Sequence, residues 1–366
     1  MTPGPRVAVA MSGGVDSSVA AALLKEQGCD VTGITLQLWP KGAADQDRHH
    51  GCCSLDAVED ARRVAASLDI PYYVLDVQEE FSRRVIDPFV ADYAAGRTPN
   101  PCISCNNEVK FDLLLRKARG IGADMLATGH YARVATDRNK HSLLRAVDPT
   151  KDQSYVLYGL TQDELAMASF PLGTWRKADV REKARQLGLV TADKPDSVEI
   201  CFVTSGDYRD LVSRRAGGGS GGVIAHVDGQ ALGRHEGIWN YTVGQRSGLG
   251  ALPKGISGPL FVLDIDPELR VVTMGPRERL GVDRIEVGEL TFVAGRAPAA
   301  EFEAQVRVRY GAEPAPSHVA LVADGAVVKT AAPLASVAPG QAAVLYRGDE
   351  VLGGGRILRH AAESRC

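Results

Sequence analysis

The segment V-A-V-A-M-S-G-G-V-D-S-S at residues 7–18 decides the fold of this chain. Residues 7–10 form a short apolar run, which predicts a buried β-strand. From residue 15 to residue 24, Val and Leu recur at helical spacing, and Gly28 predicts the end of that helix. Two glycines therefore separate a first strand from a first helix, an arrangement that suits the binding of an anion at the helix N-terminus.

Strands and helices continue to alternate over the first two hundred residues. Further strands are predicted at residues 31–39, 71–75 and 125–128, and further helices at 109–119, at 180–187 and from an N-cap at Ser54 to residue 68. Alternation of this kind predicts an α/β fold with a parallel sheet and helices on both faces. We expect this first domain to span residues 1–205.

The pattern changes after the first domain. The Gly/Ser run at residues 217–222 has the composition of a flexible linker or loop. Beyond it, apolar and polar residues alternate from residue 302 to residue 310, which predicts a half-buried strand. Shorter strands are predicted at residues 319–322, 327–328 and 342–346.

Short strands at such close spacing predict a small C-terminal β-barrel, which we assign to residues 283–366. Residues 206–282 are left as a small adaptor domain between the two. On the alternating strand, Arg307 and Arg309 share one face, and by themselves they are expected to face solvent.

The composition narrows the class of protein and its location. The 366 residues are 45% hydrophobic and 24% charged, as in a globular protein. A formal net charge of −3 does not indicate a nucleic-acid binder, so any RNA-binding surface must be a local patch. No apolar run approaches the roughly 20 residues of a membrane span, and the N-terminus lacks the layout of a signal peptide. We therefore expect a cytoplasmic protein with no membrane partner.

The loop between the first strand and the first helix carries groups that suit ATP phosphates. Gly13 and Gly14 let backbone N–H groups approach an anion, while Ser12 and Ser17 add hydroxyl groups. Asp16 beside a phosphate predicts a Mg²⁺ ion between the two negative charges. No Lys follows the glycines, so this is not a Walker motif. The order S-G-G-V-D-S resembles the loop of the PP-loop ATP pyrophosphatases, which split ATP into AMP and pyrophosphate.

Three of the seven cysteines stand in distinctive contexts, and the odd total argues against a framework of structural disulfides. Cys102 and Cys105 follow a proline-bounded loop ahead of a helix, where a thiol has a lowered pKa. Cys201 lies about a hundred residues later, in a loop expected at the same sheet edge. Three interpretations are open: unreactive packing cysteines, ligands of an iron–sulfur cluster, or a persulfide carrier with a resolving thiol.

Five motifs occur in order along the chain. They are G-R-T-P-N-P-x-x-x-C-N from Gly96, A-T-G-H-Y at 127–131, K-D-Q-S-Y at 151–155, D-S-x-x-I-C-F from Asp196 and G-Q-R-x-G-L-G at 244–250. Together they resemble the bacterial tRNA-specific 2-thiouridylases over nearly the whole chain. The resemblance implies an adenine nucleotide alpha hydrolase-like PP-loop domain. It also implies an enzyme that converts the wobble uridine of tRNA to 2-thiouridine, releasing AMP and pyrophosphate.

The resemblance further implies roles for residues at matching positions. Cys201 would carry the persulfide, and Cys105 would be the nucleophile that pairs with it in a disulfide. ATP, with Mg²⁺, would be bound by Ala10, Met11, Ser12, Gly13, Gly14, Val15, Asp16, Ser17, Leu36 and Gly129. The target base would be contacted by Asn100, Pro101 and Cys102, and the rest of the tRNA by His130, Lys151, Asp152, Gln153, Arg309, Tyr310 and Gln341. The implied partners are the tRNA anticodon loop and a persulfide donor such as a cysteine desulfurase or a sulfur-relay protein.

Cys102 departs from the family pattern, since many members have Asp at this position. A third thiol keeps open an iron–sulfur cluster held by Cys102, Cys105 and Cys201, beside persulfide chemistry without a cluster. A second alternative is another AMP-forming PP-loop ligase that acts on a small molecule and needs no paired thiols. The H-H-G-C-C segment at residues 49–53 has metal-binding residue types, although a loop with incidental ligands is the simpler interpretation.

Overall fold

The structure is a computed structural model and describes residues 4–38, 55–196, 200–203, 207–217, 221–246 and 258–361. Several positions of the predictions above lie outside the described residues: Ser54, residue 39, residues 49–53, residues 197–199 of the D-S-x-x-I-C-F motif, residues 218–220 of the Gly/Ser run, and residues 247–250 of the G-Q-R motif. None of the described helices has both the length and the apolar character that crossing a membrane requires.

The N-terminal part alternates strands and helices as predicted. Its elements are β1 (Arg6–Ala10), α1 (Val15–Glu26), β2 (Asp30–Gln37), α2 (Leu55–Ser67), β3 (Tyr72–Asp76), α3 (Gln78–Phe81), α4 (Asp87–Ala94), α5 (Pro101–Ser104), α6 (Leu115–Gly120), β4 (Met125–Thr128), β5 (Ala132–Asp137), β6 (Lys140–Arg145), α7 (Gln162–Met167), β7 (Ala168–Ser169) and α8 (Lys177–Gln186). Two π-helical stretches, Ser82–Ile86 and Cys105–Leu114, and a 3₁₀ turn at Ser154–Leu157 complete it.

A parallel sheet in the order β3-β2-β1-β4-β7 forms the centre of this part. Side chains of β1 alternate between its two faces, because successive residues of a strand point in opposite directions. Val7 and Val9 pack in one hydrophobic cluster with residues of α1, α2 and α8. Ala8 packs on the other face with Phe111 and Leu114 of the helix that contains the cysteine motif. The predicted parallel sheet with helices on both faces is confirmed.

Strands dominate the rest of the chain. The middle part contains α9 (Tyr208–Arg215), β8 (Gly222–His226), β9 (Ala231–His235), β10 (Phe261–Asp266) and β11 (Val271–Gly275), with 3₁₀ turns at Ile238–Asn240 and Arg277–Arg279. The C-terminal part contains β12 (Val282–Phe292), β13 (Glu301–Arg307), β14 (Ala315–Val322), β15 (Gly325–Leu334), β16 (Ala342–Arg347) and β17 (Glu350–Ala361). The middle sheet has the order β10-β11-β8-β9.

The C-terminal strands close into a barrel, as predicted. Antiparallel pairs run in the order β12-β15-β14-β13-β16-β17, and β17 pairs back to β12. Closure leaves no edge strand within the ring. The β5–β6 hairpin of the N-terminal part joins this sheet, since Leu144 pairs with Glu350 of β17. The barrel is therefore attached to the parallel-sheet domain through backbone hydrogen bonding as well as through side chains.

A buried ion pair and several hydrogen bonds tie the barrel to the N-terminal part. Arg307 of β13 donates to Asp152 over 3.0 Å, and the hydroxyl of Tyr155 donates to the backbone oxygen of Ala342 over 2.9 Å. The side chain of Arg307 is only 4% exposed, so the expectation that it faces solvent is wrong. The alternation of apolar and polar residues correctly placed Arg307 on the face of β13 opposite to Val306. It could not show that Asp152 of the N-terminal part covers that face.

Other elements differ from the sequence prediction. The strand predicted at residues 302–310 ends at Arg307, and the helix predicted at 109–119 begins earlier, at Pro101. Within that helix, Cys105–Leu114 is π-helical, a form that is uncommon and frequent at functional sites. Neither the β5–β6 hairpin nor the four-stranded middle sheet was predicted, because their residues show no clean alternation.

Candidate active site

The glycine loop holds its shape through close backbone packing. Gly13 has φ +68°, and a Cβ at this position would lie 2.0 Å from the backbone oxygen of Ala57. The backbone N–H of Ser12 donates to the hydroxyl of Ser17 over 3.1 Å, which folds the loop over the first turn of α1. Gly14 is the N-cap and has no side chain to occupy the N–H groups of that turn. The loop therefore presents backbone donors and a helix dipole to an anion.

The predicted nucleotide residues gather at the carboxyl edge of the sheet. β1 lies between β2 and β4, so the strand order reverses there, and open α/β sheets bind ligands at such a switch point. Gly129 follows β4, and a Cβ there would lie 2.7 Å from the backbone nitrogen of Ser17. Leu36 is half-buried near the end of β2. Along the loop itself, Ala10, Ser12, Gly14 and Asp16 are partly exposed, while Met11, Gly13, Val15 and Ser17 are buried.

Lys177, which sequence reasoning missed, lies against the glycine loop. Its Nζ donates to both carboxylate oxygens of Asp16 over 2.7 Å, and the Tyr131 hydroxyl donates to the same carboxylate over 2.7 Å. Burial, reinforced by the charge of Asp16, raises the pKa of Tyr131, so its proton stays in place. Only the absence of a Lys in the loop could have indicated such a residue, because a phosphate site without that Lys needs a cation from elsewhere in the chain.

Asp196 forms ion pairs with three basic side chains near this loop. Its carboxylate accepts from Lys177 at 2.9 Å, from Lys151 at 2.8 Å and from Arg181 at 2.7 Å. Burial by itself would raise the pKa of Asp196, but the hydrogen bonds from Lys151 and Lys177 outweigh it and lower that pKa to about 2. These fixed cations beside the glycine loop suit a polyphosphate.

The two cysteines of the predicted relay pack against one hydrophobic cluster. Cys105 and Cys201 are both half-buried thiols, and each contacts the cluster that contains Phe81, Phe89 and Phe202. Cys201 also follows Asp196 by five residues, which connects it along the chain to the ion pairs at the glycine loop. Leu36, one of the predicted nucleotide residues, packs against the same cluster as Cys105 and Cys201.

Cys102 lies in a different setting, on the exposed side of the same helix start. Asn100 is the N-cap, and its side-chain oxygen accepts from the backbone N–H of Cys102 over 3.1 Å. The thiol is exposed, and it lies close enough to Tyr310 to influence the pKa of that phenol. Burial, followed by the charges of Asp152 and Cys102, raises the pKa of Tyr310. Among the described residues, no group of three or more His, Cys, Asp or Glu side chains is arranged to hold a metal ion.

The residues with predicted tRNA contacts divide between surface and interior. Arg309 is exposed, Tyr310 is 49% exposed and Lys151 is partly exposed, so all three can meet a ligand. Asp152 is buried in its pair with Arg307. Tyr310 lies near both Cys102 and Lys151, which makes this face the candidate for binding a base.

The remaining predicted contacts hold backbone segments in place. The side-chain oxygen of Gln153 accepts from the backbone N–H of Tyr131 over 2.9 Å. The side-chain amide of Gln341 donates to the backbone oxygen of Thr98 over 2.8 Å. His130 is buried at 2.6 Å from the hydroxyl of Thr128, and burial holds the pKa of its imidazole well below the usual value. In this conformation the side chains of Asp152 and His130 are both buried, and their predicted contacts with tRNA stay predictions.

Comparison with known proteins finds matches over nearly the whole chain. Three family models match in sequence: a tRNA methyl transferase HUP domain at residues 5–205, a tRNA methyl transferase PRC-barrel domain at 210–276 and an aminomethyltransferase beta-barrel domain at 282–357. A solved structure of the U34-tRNA thiolase NcsA from Methanococcus maripaludis is similar over 58% of this chain and 66% of its own, at 19% identity. Its TM-score of 0.35 is too low to carry an argument about the cysteines.

Full-length relatives are much closer. The tRNA-specific 2-thiouridylase MnmA of Carboxydothermus hydrogenoformans is 50% identical over 96% of this chain and 97% of its own length. That of Rhodospirillum centenum is 50% identical over 98% and 92%, and that of Geobacter metallireducens is 50% identical over 96% of both chains. Relatives at this identity over nearly the full length show the family, and the chain belongs to the tRNA-specific 2-thiouridylase family.

Proposed function

We propose that this chain replaces the C2 oxygen of the wobble uridine of tRNA with sulfur, using ATP to activate that oxygen. The observation that carries the proposal is the chain of ion pairs from the glycine loop to the cysteine segment. Asp16 pairs with Lys177, and Lys177 pairs with Asp196, which precedes Cys201 by five residues. Nucleotide activation and sulfur delivery need adjoining groups, and these contacts join their two segments.

The glycine loop and its basic neighbours activate the uridine in this proposal. Backbone N–H groups of residues 13–17 bind the phosphates, while Lys177 and Lys151 supply positive charge beside them. The C2 oxygen of uridine attacks the α-phosphorus of ATP, and pyrophosphate leaves. Fixed charges that face the phosphates stabilise the charge that develops in this step. The product is a uridine whose C2 oxygen is esterified to AMP.

Sulfur transfer then uses the two thiols in sequence. Cys201 is loaded as a persulfide by a cysteine desulfurase or a sulfur-relay protein. Its terminal sulfur attacks C2, and AMP leaves with the original oxygen. The thiolate of Cys105 attacks the Sγ of Cys201, the bond to the transferred sulfur breaks, and its electron pair stays on that sulfur. This yields 2-thiouridine and a Cys105–Cys201 disulfide, which an external thiol reduces before the next cycle.

The exposed face around Cys102 receives the base. Chemistry at C2 requires the uridine to leave the stack, and an anticodon loop offers unpaired bases at low energetic cost. Asn100, Pro101 and Cys102 border the base, while Arg309 and Tyr310 follow β13 and contact the adjoining backbone or bases. Asp152, Gln153, His130 and Gln341 hold these segments in register. The protein would act in the cytoplasm, with domains at residues 1–205, 206–282 and 283–366.

Neither metal group that the sequence suggested enters these steps. Both oxygens of Asp16 already accept from Lys177, so the ammonium supplies the charge that was assigned to Mg²⁺. Mg²⁺ would chiefly bind phosphate oxygens and water, and the role of Asp16 as its ligand stays a prediction. Cys102, Cys105 and Cys201 do not form a ligand set in the part of the chain that the structure describes. The proposed sulfur transfer therefore uses the two thiols without a cluster.

A thiolation assay with cysteine variants tests the proposal. Protein purified without oxygen is analysed for iron and sulfide, then incubated with ATP, tRNA and a persulfide donor. We expect iron-free protein to form 2-thiouridine. We expect Cys201→Ser and Cys105→Ser to abolish it, while adenylation of the tRNA, measured as release of pyrophosphate, continues. Cys29→Ser is the matched control, because Cys29 lies in another cluster at the opposite end of α1 and should change nothing. Activity that requires bound iron would overturn the cluster-free mechanism.

A further inference from the structure

Asp92 is a buried carboxylate that joins two arginines from different parts of the chain. It lies on α4 and is 8% exposed. Arg97, in the loop before the cysteine helix, donates to its Oδ1 through Nε at 2.9 Å and Nη2 at 2.7 Å. Arg356 of the barrel strand β17 pairs with the same oxygen. The loop that leads to Cys102 and Cys105 is thus connected to the barrel through one carboxylate.

Backbone contacts with the barrel hold the same loop. The N–H of Thr98 donates to the backbone oxygen of Pro339 over 2.8 Å, and Gln341 donates to the oxygen of Thr98 over 2.8 Å. Gly340 has φ +92°, and a Cβ there would lie 2.9 Å from the nitrogen of Thr98. The middle domain also approaches, since a Cβ on Gly96 would lie 2.9 Å from the side chain of Ile265. All three parts of the chain therefore meet at this loop.

The helix that carries Asp92 also packs against the segment of Cys201. Phe89 of α4 meets Phe202 edge to face with ring centroids 5.0 Å apart, and Phe202 is the residue after Cys201. Tyr93 of the same helix meets Tyr208 at 4.3 Å. One face of α4 thus locates the Cys201 segment, while Asp92 locates the loop that precedes Cys105.

We propose that Asp92 is a positioning residue that sets the approach of Cys105 to Cys201. Its carboxylate fixes the loop of Arg97 relative to α4, and α4 fixes Phe202 and hence Cys201. Reaction between two groups depends steeply on such placement, and a misplacement of about 1 Å can cost a hundredfold in rate. The inference rests on the proposed sulfur relay, because it assigns the alignment of that relay to a residue outside it.

The rate of disulfide formation between Cys105 and Cys201 tests this proposal without any substrate. The reduced full-length protein is treated with diamide as oxidant, and the disulfide is assigned by peptide mass spectrometry over time. In Asp92→Asn, which keeps the shape but removes the charge, we expect the rate to fall by about tenfold or more. The affinity for tRNA should change little, while kcat for thiolation falls in parallel with the disulfide rate.

Asp349→Asn is the matched control. It breaks an ion pair with Arg133, which also joins barrel and N-terminal domain but lies away from the loop of Arg97. Equal slowing in this variant would overturn the proposal, as would a wild-type rate in Asp92→Asn. If Asp92→Asn does not fold, Arg97→Gln removes only the loop side of the contact and should slow the same reaction. A wild-type protein that forms no Cys105–Cys201 disulfide would instead contradict the relay itself.

Discussion

Replacing Asp152 with alanine should destabilise the attachment of the barrel strongly, and the structure gives the size of the effect. The side chains of Asp152 and Arg307 are 1% and 4% exposed, and Arg145 donates to the same carboxylate over 3.3 Å. Removing one partner of a buried pair leaves an uncompensated charge, which costs about 3–5 kcal/mol. A typical domain has a total stability of about 5–15 kcal/mol, so the loss is a large fraction of it.

The assay is urea unfolding of Asp152→Ala followed by circular dichroism, with hydrogen exchange measured on peptides of β13 and β16. We expect an earlier transition and faster exchange in both strands. Asp349→Ala is the control, since Asp349 is 65% exposed and its pair with Arg133 should contribute less than about 1 kcal/mol. Equal stability of the two variants, together with weaker tRNA binding by Asp152→Ala alone, would refute the reasoning. Asp152 would then be the direct RNA contact that the family resemblance implies.

Three further predictions concern titratable groups near the site. Lys177→Met should weaken ATP binding by about 10- to 100-fold in calorimetry, because a hydrogen bond to a charged group is worth about 1.5–3 kcal/mol. Lys183→Met on the same helix is the control, since it removes only an ion pair with Glu26 and should leave ATP binding unchanged. Asp196 has a folded-state pKa of about 2, below its ordinary 3.8, so its stabilisation is fully present above the ordinary value and is lost as pH falls toward 2. The stability difference between wild type and Asp196→Asn in urea should therefore shrink on acidification, and a difference that grows would contradict this. Burial keeps the imidazole of His130 neutral, so its NMR shift should not titrate at about pH 6, and a midpoint near the usual His value would show that the ring is exposed.

Much of the fold could be predicted because its signals are local. A strand, two glycines and an amphipathic helix adjoin in sequence, so residues 7–24 predict both the parallel sheet and the anion site. The C-terminal barrel follows from short alternating strands, although closure through β12 and β17 depends on pairing across the whole domain. The four-stranded middle sheet was not predicted, since its strands are short and lack regular alternation.

The parts of the site that were missed depend on distant contacts. Lys177 begins a helix with no motif of its own, and only the fold brings it to Asp16. Arg307 has the spacing of a surface residue, yet Asp152 from another domain buries it. Nothing in the sequence identifies Asp92, because one of its partners, Arg97, lies five residues away and the other, Arg356, lies in the barrel. Local patterns identify which residues can do chemistry, whereas the positioning of those residues arises from the packing of three domains.

A single-turnover experiment with labelled sulfur tests the central claim most directly. Protein carrying a ³⁵S persulfide on Cys201 is mixed with ATP and tRNA, and labelled tRNA, AMP and the Cys105–Cys201 disulfide are quantified over time. One equivalent of each should appear, with label in 2-thiouridine and disulfide formed at the rate of sulfur release. Transfer of label at an undiminished rate in Cys105→Ser, or AMP formed without labelled tRNA, would contradict a site in which the glycine loop and the two thiols act together.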